Sequence, residues 1–291
     1  MPNLFIIGAA KCGTTSLHYY LDLHPEISMS LEKEPNYFAP PGAKSLHQRI
    51  GEREIYLSLF EAGTPVRGEA STAYTRFPVV PGVPEAIASE ASDPKFVFLV
   101  RDPVDRVEAE MRELLSNRTG AMKHLPADMS AGEVLGNIQD PANRFTSGSR
   151  YMTQIHQYLE VFSRDSLLVV DSDQLRSRRG ETMARIFGFL GVQEGFWDER
   201  MDLERNTAAE KKRRSELYVR MSEVPVLKAA ADRIPVRTKR DVFKVLRSSL
   251  SKPWTPPRLD DDLRFRLESL YRPEVEELRE FTGQDFAGWS I

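Results

Sequence analysis

Leu4-Phe5-Ile6-Ile7, then Gly8-Ala9-Ala10-Lys11-Cys12-Gly13-Thr14-Thr15, then Ser16-Leu17-His18-Tyr19-Tyr20-Leu21 open the chain and decide how it folds. A short apolar run stops at a glycine, small and polar residues follow, and a helical pattern begins. The order is strand, anion-binding loop, helix. Gly8 and Gly13 let the backbone wrap an anion, and the first N–H groups of the helix, unpaired within it, point into the loop. The usual nucleotide-triphosphatase loop places Gly-Lys-Ser/Thr after its spacer. Here Gly13 is followed by Thr14-Thr15, and the lysine sits earlier, at Lys11. That displacement moves the cation along the phosphate chain and points to a different nucleotide. A bare turn would need neither the two glycines nor this set of Lys11, Thr14 and Thr15.

Outward from the loop, strands and helices alternate. Residues 3–8, 27–30, 66–70, 95–100 and 166–170 read as strands. Residues 14–23, 53–60, 105–116, 148–162 and 181–190 read as helices, the last stopped by Gly191. Lys95-Phe96-Val97-Phe98-Leu99-Val100 is nearly continuous in apolar character, as a strand buried on both faces must be. Residues 259–281 read as an amphipathic helix pair broken at Pro273. The proline-rich joints at Pro40-Pro41, 78–84 and 253–257 read as loops. The expected fold class is α/β: a P-loop-type three-layer fold with a parallel central sheet flanked by helices, one domain over residues 1–291.

Composition bounds the partners. The chain has 291 residues, 41% of them apolar, enough for a sizeable core, and a net charge of −3. That charge gives no global reason to expect nucleic acid or an anionic membrane. No run approaches the ~18 apolar residues of a membrane span. The chain lacks a basic leader before its first strand, so no signal peptide is expected. A single cysteine excludes an internal disulfide framework and fits a reducing cytoplasm. Neither His-Glu-x-x-His nor paired-cysteine zinc spacing occurs.

Four motifs occur in order: the opening loop, Lys33-Glu34-Pro35-Asn36-Tyr37-Phe38, Gly68-Glu69-Ala70-Ser71-Thr72-Ala73-Tyr74, and Val100-Arg101-Asp102-Pro103-Val104-Asp105-Arg106. Together the chain resembles the PAPS-dependent sulfotransferases, especially the heparan sulfate branch and its bacterial, soluble relatives. Gly148 to Tyr151, Phe187-Gly188-Phe189-Leu190-Gly191 and Leu270-Tyr271-Arg272-Pro273 extend the resemblance over most of the chain.

The resemblance implies a cytoplasmic enzyme that moves a sulfuryl group from 3′-phosphoadenosine 5′-phosphosulfate (PAPS) to an acceptor hydroxyl, releasing PAP without a metal. The acceptor would be a carbohydrate, a glycolipid or a small metabolite. Lys11 would neutralise the leaving phosphate. The backbone of Cys12, Gly13, Thr14, Thr15 and Ser16, with the two threonine hydroxyls, would hold the 5′-phosphate. Glu34 would be the general base, although Glu32-Lys33-Glu34 taken alone also reads as a charged surface turn. Arg101 would grip the 3′-phosphate, helped by Lys211, Arg213 and Arg214 from a late basic segment that equally fits a solvated face. Lys33, Ser71, Tyr74, Arg150 and Tyr151 would contact acceptor or donor, with core packing an equal reading for Tyr151. Asp105 and Arg106 read as a helix-surface pair, and His18 as packing. Cys12, a small loop residue, has neighbours that would lower its pKa. Residues 38–55, 80–85 and 120–144 would form the acceptor loops.

The sequence departs from the family at two places. Ala109 stands where a serine normally shares the 3′-phosphate, and Ala70 where several heparan-type enzymes carry a lysine. The open alternatives are a P-loop kinase and a PAP-binding relative without catalysis.

Overall fold

The computed structural model describes residues 1–43, 49–117, 129–202, 213–214, 251–252 and 257–291. Five parallel strands form one sheet: β1 (Leu4–Gly8), β2 (Ile27–Met29), β3 (Val66–Ala70), β4 (Lys95–Val100) and β5 (Leu167–Asp171). Their order is β2-β3-β1-β4-β5. Leu4, Phe5, Ile6 and Ile7 are fully buried, which explains why this run is apolar without alternation. Each such side chain contributes about 1.5–3 kcal/mol of burial. Phe5 pairs in register with Phe96, and the two rings stack at 5.8 Å.

The chain leaves β1 toward β2 on one side of the sheet and later crosses to β4 on the other. Ligands of open parallel sheets bind beyond the strand ends where the order reverses in this way. Here that place is the C-terminal end of β1, between β3 and β4. The loops after all three strands meet there.

The helices of the sheet-bearing unit are α1 (Thr14–Leu21), α2 (Arg53–Leu57), α3 (Val83–Glu90), the start of α4 (Pro103–Asn117), α6 (Tyr151–Leu159), α7 (Ser172–Ser177), α8 (Arg179–Leu190) and α9 (Asp261–Thr282). α8 ends at Gly191, left-handed at φ 74°, as read. Two readings change. α3 begins inside the segment expected to be loop, with left-handed Gly82 before it and Pro84 in its first turn. α9 is one helix rather than a broken pair. Its buried stripe of Leu263, Leu267, Tyr271, Val275 and Leu278 continues past Pro273, whose ring sits on the exposed face.

Contacts divide the chain into two compact units. The larger joins Met1–Val107, Asn137–Thr207 and Asp261–Ile291; the smaller joins Glu108–Gly136 and Ala208–Asp260. Within the smaller unit, α5 (Ala131–Leu135) starts with a reciprocal capping box between Ser130 and Glu133. Strands β6 (Arg213–Arg214) and β7 (Ser251–Lys252) pair antiparallel. Among the described residues no helix is long and apolar enough to cross a membrane.

Candidate active site

Four loops at the C-terminal edge of the sheet are tied to one another by hydrogen bonds. The loop after β1 is anchored first: Ala9 N–H donates to the Leu99 carbonyl at 2.7 Å. Lys11 takes a left-handed conformation at φ 72° and Gly13 follows at φ 91°, and this pair of turns leads directly into α1. Ser16 and Leu17 N–H both return to the Gly13 carbonyl. The first-turn N–H groups of Gly13, Thr14 and Thr15 face the loop, where an anion is favoured by both hydrogen bonding and the helix dipole. Thr14 is buried and Thr15 exposed. Arg101, at the end of β4, donates to the Lys11 carbonyl at 3.5 Å and pairs loosely with Asp105 at 3.6 Å. The loop thus has two cationic residues beside its open N–H groups.

The loop after β2 carries the candidate base. Glu34 has φ 62°, and its N–H donates to the Ala70 carbonyl at the end of β3. Lys33 Nζ donates to Glu34 Oε1 at 2.6 Å. Thr72 N–H donates to Oε2 at 2.9 Å, and the Thr72 hydroxyl lies 3.3 Å from both oxygens. The carboxylate is therefore oriented from two sides while its side chain stays 34% exposed. The turn at Thr72–Thr75 also reaches β1, because Thr75 Oγ1 donates to the Ile7 carbonyl at 2.9 Å. Glu34 is in this way joined through one short turn to the root of the anion loop.

Several expected site residues are buried, or lie outside the described residues. Ser71 and Tyr74 are buried, and both hydroxyls donate to Glu69, so neither faces a cleft. Tyr151 is fully buried; its hydroxyl donates to the Arg101 carbonyl at 2.8 Å and so braces Arg101 from behind. Cys12 is buried 4.0 Å from the Tyr151 hydroxyl, and desolvation pushes its thiol up to about 11 rather than down. The neighbouring cations are outweighed by burial. Arg150 is half-buried, with Nη2 on the Gln139 carbonyl at 3.4 Å. Lys211 lies outside the described residues. Arg213 and Arg214 are described as the backbone of β6 alone.

Arg106 is not a surface residue. It is fully buried, donating to Ser149 Oγ, to the Ala10 carbonyl at 3.4 Å and to the Phe145 carbonyl. A buried guanidinium this well supplied with acceptors is a strut, here joining the anion loop to the segment before α6. Asp102 was also missed: its Oδ1 caps α4 through Val104 and Asp105 N–H, and Oδ2 accepts from Ser290 N–H. Both sit in the motif Arg101 to Arg106, and their polarity alone gave no direction. Glu69 is the third. A carboxylate in a strand of a buried parallel sheet was its signal. Of the departures, Ala109 lies half-buried on α4, offering a methyl where a hydroxyl was expected, and the neighbouring Glu108 pairs with Arg112 at 3.8 Å. Ala70 is fully buried at the end of β3.

Residues 1–282 match the family described as Sulfotransferase domain. The bifunctional heparan sulfate N-deacetylase/N-sulfotransferase 1 of Caenorhabditis elegans is 26% identical over an alignment of 291 residues, covering 91% of this chain and 32% of that protein. Human heparan sulfate glucosamine 3-O-sulfotransferase 6 is 26% identical, covering 99% of this chain and 73% of that protein. The chain spans about a quarter to a third of the length of the bifunctional relatives. A solved sulfotransferase from Alicyclobacillus acidocaldarius shares the fold at a TM-score of 0.70 and 22% identity, covering 100% of this chain and 99% of that one.

Proposed function

The chain belongs to the sulfotransferase domain family, and from that premise we propose that it transfers a sulfuryl group from PAPS to an acceptor hydroxyl, with Glu34 as general base. One observation carries the reading. Glu34 is a partly exposed carboxylate oriented by Lys33 and the Thr72 amide, on a turn that also braces the root of an anion loop. A base and an anion cradle on adjoining loops are what in-line transfer between two oxygens requires.

The residues present fit the nucleotide. The open N–H groups of Gly13, Thr14 and Thr15 suit the 5′-phosphate, with Cys12 and Ser16 completing the loop and Lys11 beside it. Arg101, braced by Tyr151, suits the 3′-phosphate as a planar fork. The nucleotide supplies the sulfuryl group, whose bond to the 5′-phosphate oxygen breaks as a bond to the acceptor oxygen forms. Glu34 takes the acceptor proton onto its carboxylate, and Lys33, bonded to Oε1, keeps that carboxylate aimed. Lys11 offsets the charge that gathers on the departing phosphate. With Ala109 in place of a hydroxyl donor, Arg101 carries more of the 3′-phosphate, a loss of roughly 0.5–1.5 kcal/mol in donor affinity. A carbohydrate or a small hydroxylated metabolite is the proposed acceptor, in keeping with the heparan sulfate relatives.

Calorimetric titration with PAP in EDTA, beside ATP with magnesium, tests the donor site. Binding of PAP that is lost in Lys11→Ala and Arg101→Ala is the expected result; preference for magnesium-ATP would return the chain to the kinase reading. Glu34→Gln should keep PAP affinity and lose about 10²–10⁴-fold in turnover. Undiminished turnover in that variant would remove Glu34 as the base.

A further inference from the structure

Glu69 sits on β3 opposite Phe5, fully buried among Phe38, Tyr56 and Tyr74. Three hydroxyls donate to it: Tyr56 to Oε1 at 2.6 Å, Tyr74 to Oε1 at 2.9 Å and Ser71 to Oε2 at 2.6 Å. An ionised carboxylate accepts and never donates, so all three O–H bonds must point at it. That leaves the Ser71 and Tyr74 oxygens with lone pairs facing outward. Asn36 N–H donates to Ser71 Oγ and Phe38 N–H donates to the Tyr74 hydroxyl, each at 3.1 Å. These two bonds hold the segment that begins at Glu34. The segment needs holding, because Glu34 and Asn36 both stand at positive φ, 62° and 51°, without being glycine.

We propose that Glu69 is a positioning residue for the transfer site: as an anion it orients Ser71 and Tyr74 so that both accept from residues 34–38, which keeps Glu34 against the end of β3. The proposal rests on Glu34 being the base. A proton on Glu69 must displace one of the three donors, Ser71 from Oε2 or a tyrosine from Oε1. The directions of the hydroxyls, and with them the grip on the segment, then change together. Burial pushes the Glu69 carboxyl up to about 7, with the Ser71, Tyr56 and Tyr74 hydroxyls holding it back and the charge of Glu34 adding to the rise. Tyr158 on α6 also faces it through space, and Glu34 is itself paired with Lys33. The titration of Glu69 therefore falls where it gates the segment near neutral pH.

The test is NMR on the full chain across pH, reading the Glu69 carboxyl carbon and the exchange of the Asn36 and Phe38 amides. In the wild type both amides, compared with their intrinsic base-catalysed exchange rate at each pH, should be about five- to tenfold less protected below the Glu69 midpoint than above it. Glu69→Gln should show the lower protection at every pH. Tyr56→Phe, which removes a donor but keeps the ring that stacks on Tyr37 at 4.2 Å, should move the midpoint upward. Release of PAP from PAPS, with water as acceptor, should fall with the same midpoint in the wild type and show no such step in Glu69→Gln. Amides equally protected on both sides of the midpoint, or protected in Glu69→Gln, would overturn the proposal, as would a PAP-release profile unchanged in that variant. Amide protection does not depend on Glu34 taking the acceptor proton, so failure of Glu34 as base would appear in the turnover of Glu34→Gln and leave this readout intact.

Discussion

At the scale of single residues, burial reverses what local charge suggests. Cys12 follows a lysine and precedes a helix N-terminus, a setting that lowers a thiol pKa in the open. Enclosed beside Tyr151, it is pushed up to about 11 instead. It should resist iodoacetamide at neutral pH, reacting at least about tenfold more slowly than free cysteine, whose pKa is ~8.5; alkylation followed by mass spectrometry checks this. Glu69 shows the same force on a carboxyl. Its folded pKa of about 7 lies above its ordinary 4.5, so its stabilising contribution is whole below about 4.5 and is lost as pH rises through about 7. The difference, about 2.5 pH units, corresponds to a loss of the order of 3 kcal/mol. Urea unfolding at about pH 5 and about pH 8 should show that loss in the wild type and its absence in Glu69→Gln. Keeping an anion in the aromatic core thus costs stability at the pH where it orients the site.

At the scale of elements, the anion loop is shaped by two glycines under different constraints. A Cβ at Gly8 would lie 2.0 Å from Thr75 Oγ1, the atom that bonds Ile7 and ties the turn after β3 to β1. A Cβ at Gly13 would meet nothing nearer than Leu99 at 4.0 Å, so its constraint is φ 91° alone. Gly8→Ala should therefore cost roughly 2–4 kcal/mol, and Gly13→Ala about 1–2 kcal/mol. Denaturant midpoints of the two variants should rank in that order. The same loop is held from below by Arg106 on the Ala10 carbonyl and from the side by Arg101 on the Lys11 carbonyl. α9 makes the complementary point: an apolar stripe that runs unbroken keeps a helix whole across an exposed proline, although the ring removes an N–H and disfavours the turn before it.

At the scale of the whole molecule, the strand order β2-β3-β1-β4-β5 places the reversal beside β1 and so gathers the ends of β1, β3 and β4. A nucleotide with two phosphates bound there would stabilise the native state with the logarithm of its concentration over its dissociation constant. PAP at ~100 times its dissociation constant should raise stability by about 2.7 kcal/mol and the melting temperature by roughly 5 °C or more. A thermal scan with and without PAP measures it, and Arg101→Ala should blunt the shift.

The sequence by itself determined the strand that opens the chain, the loop that follows it, the parallel α/β class and the placing of Lys11, Glu34 and Arg101 at strand ends. Those features are local: apolar runs, glycines and helix starts within a few residues of one another. Only the tertiary structure decided which polar groups face inward. Ser71 and Tyr74 read as cleft residues and are core struts; Tyr151, which read equally as cleft or core, is core; Arg106 read as surface and is fully buried; Glu69 was passed over and proves to be a hub. The physical reason is that a hydroxyl or a charge is silent about its partner, and the partners here come from 2 to 139 residues away in the chain. Desolvation and hydrogen bonding act only once the fold has brought those partners together.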